Sequence, residues 1–352
     1  MKTSTLLILA CLTAALVFGA ATDSLKPGKA PLKSAGPLAF GPEGVLFIGD
    51  SQGAQIVALD TNDRTPGTAK IFEVKGLNAK IAAVLGTEAS QILVNDVIVN
   101  PISKNAYVSV SRGRGPDAVP MVLRVDSAGK ISEVSFDNAK FAVVALANPA
   151  EGRDRQQAIT DLRYVDGKVV VAGLSNEEFS SNLRSIPFPF QQAAQGAKIE
   201  IYHGSHARFE TNSPIRTLMP FTIKGEAFVL AAYTCTPLVK IPVSELKAGA
   251  KVKGTTIAEL GAGNRPLDMI SYQKGGKDYI LMANSSRGVM KLNADGLEKY
   301  TPITAPSDIA GVPYTTVAGW KGVQQLDKLD ENTALVLADA GGSLDLRAIA
   351  LP

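Results

Sequence analysis

The sequence predicts an all-β protein, a six-bladed β-propeller built from four-stranded antiparallel blades, and three observations predict it. Six short apolar runs recur along the chain, each follows a turn of the kind that closes a hairpin, and each precedes a polar loop and further β-rich segments. Four antiparallel strands repeated six times is typical of a propeller. Seven blades are the alternative count, and a two-domain β-sandwich is the alternative fold because it needs no sixfold register.

The six runs align over their last residues, which lie about 61, 62, 60, 51 and 55 positions apart, as expected for blades with loops of unequal length. They are continuous rather than alternating, which indicates strands buried on both faces. Turns such as Asp166-Gly167, Lys224-Gly225 and Gly275-Gly276 come before them and favour tight hairpins. The runs are Val45–Asp50, Ala106–Ser111, Lys168–Gly173, Phe228–Tyr233, Tyr279–Asn284 and Ala334–Asp339.

Further strands are predicted after each run. In the first unit Gln55–Leu59 forms the third strand and Ala69–Val74 a weaker fourth, and in the third unit Lys198–Tyr202 forms the third strand. This choice leaves a long connection from Leu174 to Ala197, rich in phenylalanine. Long connections in compact domains are often lids or interfaces, although these rings could equally pack onto the propeller.

The chain divides into three predicted parts. Residues 1–21 form a signal peptide, with Lys2, an apolar run too short to span a bilayer, and small residues at its end. Residues 22–35 form an N-terminal segment that would close the ring, since the sequence ends after the third strand of the sixth unit. Lys26-Pro27-Gly28 and Pro31 are poor strand formers, so an incomplete sixth blade is the alternative. Residues 36–352 form a single propeller. The protein is therefore expected to be exported, periplasmic or extracellular, and bacterial.

Composition excludes several functions. A net charge of +3 from 36 basic and 33 acidic residues, with no basic stripe, argues against nucleic acid as a partner. No later segment is apolar enough to cross a membrane, and no Cys-x-x-Cys-His motif attaches haem. A small molecule or a protein remains as the partner, with the oligomeric state open.

Binding residues are expected on one face of the ring. The loops after the second strands and the connections into each next blade emerge on the same side of a propeller, around the mouth of the channel. The polar side chains predicted to meet a ligand there are Asp50, Ser111, Arg112, Asn176, Glu177, Thr234, Asn284, Arg287 and Asp339.

The two histidines, His203 and His206, follow the predicted third strand and are therefore expected at the opposite end of the ring. A His-x-x-His pair can hold a metal, but no recognised partner motif accompanies it, so a surface loop is the favoured interpretation. Cys235 is interpreted as a quiet thiol, because the histidines are predicted too far away to act as its base.

Parts of the chain are similar to a known group of propellers. The stretch from Gly36-Pro37-Leu38-Ala39-Phe40 through Val45–Asp50 to Asp60, and Asn95-Asp96-Val97 before Pro101, resemble blades of the NHL and gluconolactonase-like six-bladed propellers. The lactonase branch implies a divalent metal such as calcium at the channel mouth and hydrolysis of a lactone. The resemblance implies Asn95, Asp161 and Asp268 as ligands, but Ala35 stands where that branch carries a glutamate.

Two functions follow from these observations. The first is an exported propeller that binds a small ligand or a protein partner through the face bearing the second-to-third-strand loops, without an identifiable catalytic residue. The alternative is a metal-dependent hydrolase of lactones or esters at the channel mouth. The two differ in whether a metal is held by Asp161 and its neighbours.

Overall fold

A computed structural model describes residues 20–69, 72–192, 195–235 and 237–352. The predicted signal peptide, residues 1–21, lies almost wholly outside these ranges. Within them, no helix has both the length and the apolar character needed to cross a membrane.

The described chain is built mainly from β-strands. The strands are β1 (Lys26–Gly28), β2 (Leu38–Phe40), β3 (Val45–Asp50), β4 (Gln55–Asp60), β5 (Glu73–Val74), β6 (Ile92–Val99), β7 (Ala106–Arg112), β8 (Val119–Val125), β9 (Ile131–Glu133), β10 (Ala139–Ala145), β11 (Asp161–Val165), β12 (Lys168–Leu174), β13 (Ser181–Pro187), β14 (Ala197–His203), β15 (Arg208–Glu210), β16 (Ile215–Ile223), β17 (Glu226–Tyr233), β18 (Pro237–Pro242), β19 (Lys251–Lys253), β20 (Thr255–Leu260), β21 (Pro266–Lys274), β22 (Lys277–Asn284), β23 (Gly288–Asn293), β24 (Ile309–Gly311), β25 (Tyr314–Thr316), β26 (Val323–Lys328), β27 (Thr333–Asp339) and β28 (Leu344–Ala350). One α-helix, α1 (Leu77–Val84), occurs in the described ranges. The short 3-10 helices are Ala21–Ser24, Pro42–Gly44, Ala89–Gln91, Gly115–Asp117, Gly152–Gln157, Gly204–His206, Val243–Glu245 and Leu297–Lys299.

The strands form six sheets, so the predicted six-bladed propeller is confirmed. Each blade is numbered here by the chain order of its innermost strand. From the channel outward, blade 1 is β2-β3-β4-β10-β1, blade 2 is β6-β7-β8-β9, blade 3 is β11-β12-β13-β14-β15, blade 4 is β16-β17-β18-β20-β24, blade 5 is β21-β22-β23-β25 and blade 6 is β26-β27-β28-β5. A sixth strand of blade 3, β19, pairs in parallel with β14.

The order of the blades around the ring differs from their order along the chain. The innermost strand of blade 1 lies between those of blades 2 and 3, and blade 2 lies between blades 6 and 1. The ring therefore reads 6-2-1-3-4-5. An apolar cluster fills each of the six junctions; Leu38 and Tyr107 share the cluster between blades 1 and 2, and Val97 and Leu335 share the one between blades 2 and 6.

Two strand exchanges produce this order. After β4 the chain leaves blade 1, and β5 pairs with β28 as the outer strand of blade 6. After blade 2 the chain returns, and β10 pairs with β4 as the fourth strand of blade 1. The expectation that the N-terminal segment closes the sixth blade is wrong. Its strand β1 pairs with β10 at the outer edge of blade 1. The outer edge of β28 has backbone groups that need a partner strand, and β5 supplies it.

The third blade also differs from the prediction. The predicted long connection contains β13, which pairs with β12 as the third strand, so Ala197–His203 is the fourth strand and not the third. The chain direction at His203 is thereby reversed, and His203 lies at the same end of the ring as Cys235. Phe188 and Phe190, just beyond β13, pack on Phe47 of blade 1 rather than forming a lid.

Local sequence explains the hairpins that build the blades. The two-residue turns Asp166-Gly167, Lys224-Gly225 and Gly275-Gly276 have positive φ at both positions, the geometry that suits the right-handed twist of paired strands. The second strands that follow are mostly buried, and all six residues of β3 are. Helix α1 buries Leu77 and Ile81 in the cluster between blades 2 and 6.

Candidate functional site

A cavity of about 1070 Å³ lies at the end of the channel where the innermost strands begin, and all six blades contribute to it. Its wall carries cationic and polar side chains, and its floor carries carboxyl groups. The wall includes Lys33, Asn95, Ser111, Arg114, Arg216 and Arg265, and the floor includes Asp96, Asp161, Asp268 and Gln325.

Irregularities in the innermost strands aim side chains into this cavity. The pairing register shifts at the start of β6, β16, β21 and β26, each time leaving one residue unpaired. Such a bulge bends a strand and redirects its side chains. Three of the unpaired residues, Asn95, Arg216 and Leu267, line the cavity. The residues that follow them, including Asp96 and Asp268, face the floor.

Three aspartates tie neighbouring innermost strands together at the floor. One oxygen of Asp96 accepts from its own successor, Val97 N–H (2.8 Å), and the other accepts from Leu38 N–H of blade 1 (2.7 Å). Asp161 links blade 3 to blade 4 in the same way, and Asp268 links blade 5 to blade 6. Innermost strands have no partner strand on the channel side, so these carboxylates satisfy backbone N–H groups that would otherwise be unpaired.

Arg163 lies at the centre of the network. Its Nη1 donates to Asp161 Oδ1 (2.7 Å), and its Nη2 donates across the channel to Asp268 Oδ1 (3.0 Å). With its amide oriented to suit its neighbours, Gln325 donates to Asp96 Oδ1 (2.9 Å) and to Asp268 Oδ2 (3.1 Å). Asp327, a fourth carboxylate, accepts from Val99 N–H (2.7 Å) and connects blade 6 to blade 2.

Burial shapes the ionisation of this network. It raises the pKa of Asp96 to about 7, and it also raises the pKa values of Asp161, Asp268 and Asp327, although the Arg163 charge opposes each shift. Burial disfavours the charged form of Arg163, but the carboxylates outweigh it and hold the Arg163 pKa above its ordinary value. Because four carboxyl groups surround one guanidinium, the network takes up protons more readily than free aspartates do.

Of the three residues that the lactonase resemblance implies as metal ligands, only two lie together. Asp161 and Asp268 come together, but both bind the guanidinium of Arg163. Asn95 turns toward the wall, where its Nδ2 donates to Ala35 O (2.7 Å) and to Ser111 Oγ (3.1 Å). Arranged in this way, the donors hold an arginine side chain, and a metal ion could take its place only by displacing it.

Most of the predicted ligand-binding residues stabilise loops. Of the nine, Ser111 lines the cavity and Thr234 accepts a hydrogen bond from Arg216 Nε (2.9 Å) on the wall. Asp50 is fully buried and accepts from Lys33 N–H and Ser34 N–H, which fastens the N-terminal segment.

The other six lie outside the cavity wall and contact their own loops or neighbouring segments. Their contacts are Arg112 to Leu85 O, Asn176 to Glu151, Glu177 to Lys198, Asn284 to Met282 O, Arg287 to Ala262 O and Asp339 to Gly342 N–H.

The predicted ligand-binding residues do not include the three arginines that matter most at the cavity. Arg216 and Arg265 lie on the wall and Arg163 is bound at the floor. A signal for the floor was present, since a polar-Asp-apolar step opens the innermost strands at Asn95-Asp96-Val97 and Thr160-Asp161-Leu162. Arg265 lies on a connection into the next blade, which the sequence places at this end of the ring, but no sequence signal distinguishes Arg163 or Arg216 from arginines on the outer surface.

The wall is cationic where blades 4 and 5 meet. Burial lowers the pKa of Arg216, and the neighbouring charge of Arg265 lowers it further. The Arg216 guanidinium donates to Thr234, whereas the Arg265 guanidinium makes no hydrogen bond or ion pair to any residue that the structure describes. Two close guanidinium groups that repel each other favour the approach of an anion.

Comparisons with known proteins do not identify an activity for this chain. No protein-family model matches the chain, and no curated protein matches it in sequence. Among solved structures, a glucose dehydrogenase-like oxidoreductase from Thermus thermophilus is 12% identical with a TM-score of 0.38, over 92% of this chain and 100% of the other.

Two further structures match with similar scores. They are a PQQ-bound aldose sugar dehydrogenase from Streptomyces coelicolor (11% identity, TM-score 0.34, 93% of this chain and 96% of the other) and a streptogramin B lyase (10%, 0.31, 93% and 97%). At these scores we transfer no substrate or cofactor from them.

Proposed function

We propose that this protein binds a small anionic molecule, one bearing a carboxylate or phosphate group, in the cavity at the channel mouth. The observation that carries the proposal is the pair of guanidinium groups on the wall, those of Arg216 and Arg265. The Arg216 guanidinium donates to Thr234, whereas that of Arg265 has no hydrogen-bond or ion-pair partner among the described residues. Arginine is suited to recognising planar anionic groups through paired N–H donors.

The carboxylates on the floor of the cavity already have partners. The carboxylates of Asp161 and Asp268 are occupied by Arg163 and by backbone N–H groups, so they are poor acceptors for a cationic ligand. The guanidinium of Arg265, which is exposed at the cavity, is available to bind an incoming anion. The concave shape and the volume of about 1070 Å³ suit a small molecule, because ligand pockets are typically about 300 to 1,000 Å³ whereas protein interfaces are broad.

The test is thermal unfolding with citrate, gluconate or inorganic phosphate against chloride at matched ionic strength. A ligand at one hundred times its Kd stabilises a folded protein by about 2.7 kcal/mol. We expect at least one of the three anions to raise the Tm of the wild type, and Arg265→Gln to abolish that rise.

The matched control is Arg153→Gln, which removes an exposed arginine outside the cavity wall and should leave the rise unchanged. The proposal is wrong if none of the anions stabilises the wild type, or if the rise survives in Arg265→Gln.

We also infer that the protein works outside the cytoplasm, on the strength of the apolar segment in residues 1–21. Expression of the full chain in a bacterial host should yield a periplasmic or secreted product whose N-terminus lies near residue 22. Recovery of the intact chain from the cytoplasm alone would contradict export.

A further inference from the structure

A second group of chemically active side chains lies away from the cavity floor, at the junction of blades 3 and 4. His203 ends β14, His206 lies in the following turn, and Cys235 follows β17 of blade 4. One ring nitrogen of each histidine and the Cys235 Sγ lie within 4.8 Å of one another. Two imidazoles and a thiol so placed are a donor set for a transition metal.

Glu210 orients both imidazole rings. His203 Nδ1 lies 2.9 Å from one carboxylate oxygen of Glu210, and His206 Nδ1 lies 2.7 Å from the other. Ser213 Oγ and Arg208 Nε also donate to this carboxylate. A carboxylate that receives so many donors acts as an acceptor, so each Nδ1 carries the hydrogen. Each Nε2 then keeps its lone pair.

The free nitrogen of His203 is buried and has no partner. His203 is 2% exposed, and its Nε2 makes no hydrogen bond to any part of the chain that the structure describes. Leaving a polar atom unpaired in the interior costs about 1 to 3 kcal/mol. A bound metal ion would use the Nε2 lone pair. The Glu210 contact matches the carboxylate–histidine pairing that commonly orients metal-bound imidazoles.

We propose that His203, His206 and Cys235 form a mononuclear site for a zinc or copper ion, with Glu210 as the residue that positions the two imidazoles. The thiolate and imidazole donors select such ions over calcium and magnesium, which prefer oxygen ligands. Three protein ligands around a tetrahedral ion leave one position for water or an exogenous ligand.

The spacing of the donors is compatible with a bound ion. Metal–nitrogen and metal–sulfur bonds of about 2.1 and 2.3 Å place the tetrahedral ligand atoms of this donor set about 3.4 to 3.6 Å apart. The His206 side chain is 44% exposed and Cys235 is half-buried, so both can rotate over the remaining distance. His203, fixed between Glu210 and the core, would be the anchor. The site is separate from the Asp161–Asp268 network and independent of the proposed anion site.

The experiment uses the full chain with Cys11→Ser, so that Cys235 is its single thiol. Titration with Co²⁺, as a spectroscopic substitute for Zn²⁺, and separately with Cu²⁺ should saturate at one equivalent. A thiolate-to-metal charge-transfer band should appear. Cys235→Ser should remove this band, and His203→Gln should weaken binding at least tenfold. Glu210→Gln should weaken it about 10- to 100-fold while the band remains.

The matched control is Glu226→Gln, which alters an exposed carboxylate at the other end of β17 and should bind like the parent. If a variant fails to fold, alkylation of Cys235 in the parent replaces it: Zn²⁺ or Cu²⁺ should protect the thiol, and a chelator should restore its reactivity. The proposal is overturned if neither ion binds in stoichiometric amount. It is equally overturned if Cys235→Ser binds as tightly as the parent, or if metal gives the thiol no protection.

Discussion

Replacing Arg163 with methionine should destabilise the propeller in a strongly pH-dependent way. Arg163 hydrogen-bonds to Asp161 and Asp268, and its charge also acts on Asp96 and Asp327. Removing one partner of a buried ion pair costs about 3 to 5 kcal/mol, because a charge is left uncompensated. At pH 8 we therefore expect Arg163→Met to lose about 4 kcal/mol of unfolding free energy.

Protonation should relieve most of this loss as the pH falls. Without the guanidinium, the folded pKa values of the aspartates rise further, so the variant holds more protons than the wild type. Each additional bound proton changes the difference in unfolding free energy by about 1.4 kcal/mol per pH unit. One such proton held between pH 8 and pH 5 amounts to about 4 kcal/mol, so the variant should approach wild-type stability near pH 5.

The assay is thermal and urea unfolding followed by circular dichroism at both pH values. With an unfolding entropy of about 2.1 cal/mol/K per residue over 352 residues, a loss of 4 kcal/mol lowers the Tm by about 5 °C. The control is Arg184→Met, since Arg184 is also fully buried but donates to the Ala147 carbonyl and not to a carboxylate. Its effect should be the same at pH 5 and pH 8. An equal loss at both pH values for Arg163→Met would refute the reasoning.

Three further predictions concern the floor, the closure of the ring and the N-terminal segment. Because the folded pKa of Asp96, about 7, exceeds the ordinary value of 3.8, its contribution to wild-type stability falls as the pH rises from about 4 to 7. Asp96→Asn should flatten that slope by up to about 1.4 kcal/mol per pH unit in urea unfolding. Val74→Asp places a charge at a buried position of β5 and should lower the free energy of unfolding by about 3 kcal/mol or more. It should also expose the amides of β28 to hydrogen exchange, because β5 pairs with that strand. The control Glu73→Gln, at an exposed position of β5, should have neither effect. Asp50→Ala should cost about 2 to 3 kcal/mol and render residues 26–35 sensitive to protease; unchanged cleavage there would contradict its role in fastening this segment.

Much of each blade could be predicted because its determinants are local. A run such as Val45–Asp50 is apolar on both faces, so it can be stable only as an inner strand, and a turn such as Asp166-Gly167 accepts the positive φ angles of a tight hairpin. The same local logic failed in blade 3. Ser181–Pro187 combines polar and apolar residues, and its place as the third strand depends on pairing with β12.

The candidate sites were less predictable, because the position of a polar side chain in the repeat does not show which partner it binds. Asp50 and Thr234 both lie near the cavity, but both already accept hydrogen bonds within the protein. Asp50 accepts from backbone N–H groups, and Thr234 accepts from Arg216. In the sequence Arg163 is an ordinary strand arginine, because its hydrogen-bond partner Asp268 lies 105 positions later. The prediction for the two histidines is wrong because it takes Ala197–His203 as the third strand of blade 3, whereas this segment is the fourth and runs in the opposite direction.

The sequence by itself determined the class of fold, the number of blades and the position of most hairpins, since hydrophobic runs and turn residues act within a few positions of one another. Only the tertiary structure decided that the ring reads 6-2-1-3-4-5, that β5 closes blade 6 and that His203 meets Cys235. The apolar sequence of a strand predicts that it is buried but does not predict which neighbouring strand or blade buries it. Backbone pairing at a strand edge is much the same for any sequence, so the choice depends on how all six junctions pack together.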